Sequence, residues 1–154
     1  MGAEFARQIS RETKSTELWL FARNKEKLDA VKTEIENAGD SPKIKCVPMN
    51  LCGKEGVNLF KTFLATEKIS GGFEIDMLVN NAGFGTYGEF SETPLDRELE
   101  MIDLNCTALT GICGNVLPYL HENSSIINVA SLAAFYLAGA GIIAIARRRQ
   151  YFRS

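Results

Sequence analysis

Four short apolar runs, at residues 18–21, 44–49, 75–79 and 126–130, do most to constrain the fold. None shows the polar alternation of a strand with one wet face, so each predicts a strand covered on both sides. Helical patterns separate them. Ala3, Phe5, Ala6 and Ile9 suit a short amphipathic helix; Leu28, Val31 and Ile35 a second, capped by Asn24 and followed by Gly39; Val57, Phe60 and Leu64 a third. The longest helix is predicted to start at Thr93-Pro94, with an apolar stripe of Leu95, Leu99, Ile102, Cys106, Leu109, Cys113 and Leu117 kept on one face. Strand and helix in alternation predict an α/β fold with a doubly wound parallel sheet.

Composition narrows the partners. With 154 residues, 45% hydrophobic and 23% charged, the chain suits one folded domain. A net charge of −2 supplies no basic face for nucleic acid. Cys46, Cys52, Cys106 and Cys113 form no C-x-x-C pair and His121 is the only histidine, so no metal site is expected and the thiols read as reduced, in a cytoplasmic protein. The first nine residues read as helix rather than signal peptide. Residues 126–146 carry no formal charge and precede Arg147, Arg148 and Arg149. That length could span a bilayer, but Asn128, Ser131, Tyr136, Gly139 and Gly141 interrupt it, and a membrane anchor is the disfavoured reading.

Ligands of an open parallel sheet bind beyond the carboxyl ends of its strands. The residues there are Ala22-Arg23-Asn24, Asn50-Leu51, Asn80-Asn81-Ala82-Gly83 and Ser131. Asp76-Met77-Leu78-Val79 leads into Asn80-Asn81-Ala82-Gly83, Asn105 follows in the long helix, and Ile126-Ile127-Asn128-Val129-Ala130-Ser131 comes after it. In order and spacing this resembles the classical short-chain dehydrogenases/reductases, truncated at both ends.

The resemblance implies a Rossmann-type fold and hydride transfer between NAD(P) and a carbonyl or alcohol carbon of a small molecule. Ser131 falls on the family's substrate-binding serine. Asn105 falls on its helix asparagine, with a helix kink as the alternative. Asn80, Ala82 and Gly83 fall on the cofactor-side loop, and Gly2 on the last glycine of the phosphate-binding turn. Arg23 lies where the family reads a 2′-phosphate, which favours NADP over NAD; a solvated arginine is the alternative. Asn50 and Leu51 stand where the family has Asp-Leu beside the adenine. The family's long helix often packs on another subunit, leaving a homo-oligomer open.

Two departures qualify that implication. The family's first strand and earlier glycines have no counterpart before Gly2, so the expected sheet is incomplete, lacking its first and its C-terminal strands. The family's Tyr-x-x-x-Lys is absent: Tyr136 is followed four residues later by Ala140, and no lysine follows Tyr151. Residues 1–138 therefore read as a partial NAD(P)-binding domain and 139–154 as an atypical tail. With codons chosen to fit, a shifted frame across residues 142–154 encodes Tyr-Ser-His-Ser-Lys, so the tail is expected to be a frameshifted form of the missing motif. The expected function is an oxidoreductase by descent, inactive as the chain stands. The alternatives are a non-catalytic nucleotide- or partner-binding fragment and a membrane-anchored fragment.

Overall fold

The computed structural model describes residues 1–12, 16–39, 41–86 and 90–130. The chain divides into two compact units, Met1–Asn50 and Leu51–Ser154.

In the first unit, α1 (Gly2–Glu12) precedes β1 (Glu17–Ala22), α2 (Lys25–Asn37) and β2 (Lys43–Pro48). β1 and β2 pair in parallel from Glu17 opposite Lys43 to Ala22 opposite Pro48. A parallel pair needs a crossover, and α2 supplies it. Its start is set by Asn24, whose Oδ1 accepts from the Lys27 amide at 2.7 Å, as the sequence predicts. Leu28 and Ile35 are buried and Val31 packs against the core of Ala6, Ile35 and Ile44. Arg7 ties α1 to α2 by a two-pronged ion pair with Glu34, at 2.8 and 2.9 Å.

In the second unit, α3 (Gly53–Gly71) leads to β3 (Ile75–Asn80), and a long helix leads to β4 (Leu120–Asn128). The strands pair in parallel, from Met77 opposite Ser125 to Asn80 opposite Asn128, after an irregularity near Ile75. Ser124 Oγ donates to the Ile75 carbonyl at 2.6 Å there, and His121 Nε2 sits 2.9 Å from Asp76 Oδ1. The long helix comprises α4 (Leu95–Ile102), a π-helical stretch (Asp103–Ala108) and α5 (Leu109–Val116). The joints keep right-handed helical angles, so the helix runs on without a break.

The structure bears out the alternating α/β order and the parallel pairing. Each unit contributes a two-stranded sheet, as an incomplete Rossmann-type fold would. Two details differ from the sequence reading. The long helix starts at Leu95 rather than Pro94, because Pro94 stays extended and its carbonyl accepts the first helical bonds, from Arg97 and Glu98. β4 runs from Leu120 to Asn128, earlier than the expected 126–130. The apolar stripe of the long helix, open between core and a subunit contact, is exposed at Leu95, Leu99, Ile102 and Leu117. The buried row is Glu98, Met101, Asn105, Ala108, Ile112 and Val116. Two polar residues stand in that row, so hydropathy points to its more apolar neighbour.

Close packing fixes the long helix against α3. A Cβ on Gly111 would lie 2.5 Å from both methyls of Val57, so only glycine lets the two approach. Leu64, Met101, Val116 and Ile126 fill the core beneath. The strand β4 takes up the first three residues of the uncharged stretch 126–146. Among the described residues no helix is long and apolar enough to cross a membrane; residues 131–154, with Ser131 and the tail 139–154, lie outside the described residues.

Candidate functional site

Each unit presents the carboxyl ends of its strands. In the first, the Met49 amide bonds the Ala22 carbonyl at 2.9 Å, carrying the pairing of β1 and β2 to their ends. Arg23 and Asn50 follow those ends and both are exposed. Gly2 opens α1, and the Met1 carbonyl accepts from Glu4 and Phe5. The first amides of such a helix have no partner within the helix and favour an anion.

In the second unit, Asn80 closes β3 opposite Asn128 of β4, and both are buried. The Asn80 amide donates to Asn128 Oδ1 at 2.8 Å and lies 3.2 Å from Cys113 Sγ. Its carbonyl accepts from the Val129 amide at 3.0 Å. Asn80 thus faces inward, toward the long helix and the neighbouring strand. Burial pushes the Cys113 thiol above its ordinary pKa, while its hydrogen bonds with Asn128 and Asn80 pull the other way. Leu51 is buried, with its backbone so close to Gly56 that a Cβ there would meet the Leu51 carbonyl carbon at 2.1 Å.

Beyond Asn80 the chain leaves the strand. Ala82 and Gly83 are exposed. Asn81 Oδ1 is buried without a hydrogen-bond partner among the described residues. Asn105 holds this loop from the π-helical stretch. Its Oδ1 accepts from the Phe84 amide at 3.2 Å and its Nδ2 donates to the Phe84 carbonyl at 2.7 Å. A π-helical turn carries an extra residue, and here the residue it contains is buried and turned to a loop. The helix winds as a π-helix there, and the asparagine side chain is engaged outside it.

The sequence reading missed Thr86 and Glu98. Thr86 Oγ1 donates to Glu98 Oε1 at 2.8 Å, and the Arg97 guanidinium lies 3.9 Å from the centre of the Phe84 ring. A glutamate within a buried row was the available signal. It missed the Asn80–Asn128–Cys113 cluster as well, because strand register alone brings Asn128 opposite Asn80. Among the described residues no three His, Cys, Asp or Glu side chains gather as metal ligands would.

The short-chain dehydrogenase family model matches residues 1–143. The chain belongs to that family. The dehydrogenase OXI1 of Cochliobolus heterostrophus is 41% identical over 63 residues, 41% of this chain and 27% of that protein. A metagenomic short-chain oxidoreductase solved in complex with NADP is 27% identical, with a TM-score of 0.75 over 92% of this chain and 62% of that one. A short-chain dehydrogenase from Sphingobium yanoikuyae in complex with NADPH is 25% identical, with a TM-score of 0.68 over 88% of this chain and 50% of that one. This short-chain dehydrogenase chain thus spans between half and two thirds of those structures. Its fold is the Rossmann-type fold they share.

Proposed function

We propose that the chain is the cofactor-binding part of an NADP(H)-dependent oxidoreductase of a small carbonyl or alcohol, and that its 154 residues do not turn over as they stand. The observation that carries this reading is the loop after β3, clamped at Phe84 by both halves of the Asn105 amide. The loop fits a dinucleotide. Ala82 and Gly83 are exposed there, and the Asn81 oxygen, without a partner among the described residues, suits a hydroxyl or amide donor of a ligand. When bound, the nicotinamide supplies the hydride.

By the family resemblance, each unit carries residues suited to the cofactor. The first amides of α1, beginning at Gly2, suit a phosphate, and Arg23 suits the 2′-phosphate of NADP with its planar fork of donors. Asn50 keeps a neutral acceptor for the adenosine end. Leu51, being buried, shapes the segment rather than offering a polar contact. Ala82 and Gly83 offer backbone, while Asn80 and Asn105 position the strand end and the loop. Ser131 would bond the substrate oxygen. No tyrosine in the sequence has a lysine four residues on, which leaves the reaction without its positioned proton donor. We read the tail 139–154 as a frameshifted form of that pair, which the nucleotide sequence of the locus tests directly: a second frame without Tyr-x-x-x-Lys removes the idea.

The exposed row of Leu95, Leu99, Ile102 and Leu117 favours a second copy of the chain as partner over a lone monomer. The unbridged thiols of all four cysteines suit the cytoplasm. The test is a paired titration of the full chain with NADPH and NADH. Replacing Arg23→Ala is expected to weaken NADPH binding about 10- to 100-fold, the loss of charge-assisted bonds, and to leave NADH nearly unchanged. Equal losses for both would mean Arg23 does not read the phosphate.

A further inference from the structure

Glu98 is a buried acidic side chain outside the residues assigned above to the cofactor. It is 4% exposed, in the same helical row as Met101. Its Oε1 accepts from Thr86 Oγ1, while Oε2 is buried without a hydrogen-bond partner among the described residues. Burying a carboxyl group with half its oxygens unpaired is unfavourable, and methionine or leucine would pack there without that penalty. What glutamate adds is reach to Thr86, three residues beyond Gly83.

The same helix grips the loop twice more. Asn105 holds both backbone groups of Phe84, and the Arg97 guanidinium lies over its ring. Asn105 fixes the middle of the segment 81–86. Glu98 fixes its far end. A loop pinned at one point can still pivot about it; a loop pinned at two along one helix has its path set between them. We propose that Glu98 is a positioning residue: through Thr86 it fixes the path of residues 84–86 and so steadies the Phe84 end of the backbone that Ala82 and Gly83 offer to the cofactor. This rests on the cofactor reading given above.

The test follows amide hydrogen exchange in the full chain, read at Phe84, whose amide donates to Asn105. Glu98→Ala is expected to speed that exchange about tenfold, the effect of one lost hydrogen bond, while amides of β3 and β4 keep their rates. Glu98→Gln keeps a carbonyl for Thr86 and should stay near the unsubstituted chain. Thr86→Val should match Glu98→Ala, Thr86→Ser should not, and the double variant Glu98→Ala/Thr86→Val should add nothing further. NADPH titration of the same samples should show about tenfold weaker binding for Glu98→Ala and little change for Glu98→Gln.

The proposal is overturned if Gln and Ala act alike, if Phe84 and the strand amides speed up together, or if NADPH affinity is unmoved in Glu98→Ala. Binding of no NADPH by the unsubstituted chain removes the cofactor reading, while the exchange pattern still decides whether Glu98 holds the loop.

Discussion

Asn105 uses both halves of its amide on one backbone residue, so its removal leaves a donor and an acceptor of Phe84 unmade at once. Asn105→Ala is expected to cost about 1–3 kcal/mol of stability, read as a lower urea midpoint; Asn105→Asp, which keeps only the acceptor, should restore part of it. Its importance was legible in the sequence, since an asparagine inside a helix opposes propensity. Its partner was not, because nothing in the order of residues says that Phe84 lies across from it. Cys113 gives a pH signature. Its thiol is held above its ordinary value, chiefly by burial. A folded-state pKa above the unfolded one means the folded form keeps its proton more tightly. That contribution is intact at neutral pH and lost as pH rises past about 9 and through the folded value. Urea midpoints should therefore fall between pH 8 and pH 10 by an amount that Cys113→Ala reduces; an identical slope in both would show that other groups carry it.

At the scale of elements, the strands and their crossovers follow from the sequence because their signals are local. An apolar run of strand length, a cap at Asn24 and a glycine beyond the helix each act on their own neighbours. The long helix is where local signals mislead. Its buried row includes Glu98 and Asn105, both engaged with the loop after β3, and its most apolar row faces out at Leu95, Leu99 and Ile102. A residue pattern records hydrophobicity, and a polar side chain held by a loop looks like surface. Two predictions belong here. Gly111→Ala places a Cβ against both Val57 methyls, so it should destabilise by about 1–3 kcal/mol, and Val57→Ala in the same chain should recover part of that loss. If a second copy covers the outer row, Leu99→Lys should turn a dimer into a monomer in sedimentation velocity. A chain that is monomeric without the substitution contradicts that partner.

For the whole molecule, the family was readable from the stretch between β3 and β4, because the strand end, the helix asparagine and the next strand keep their spacing. The inward turn of Asn80 was not, since it depends on the pairing of Asn80 with Asn128. What the chain lacks is equally plain in its residues: a tyrosine with a lysine one helical turn on. A positioned acid or base is worth about 10²–10⁴ in rate, so on the function proposed above the 154 residues are expected not to turn over. The direct measurement is oxidation of NADPH by the purified full chain across a panel of ketones and aldehydes, freed of host reductases and followed at the absorbance of the reduced nicotinamide. The account predicts a rate equal to that without protein for every substrate. Sustained, protein-dependent oxidation of NADPH with any of them would contradict it.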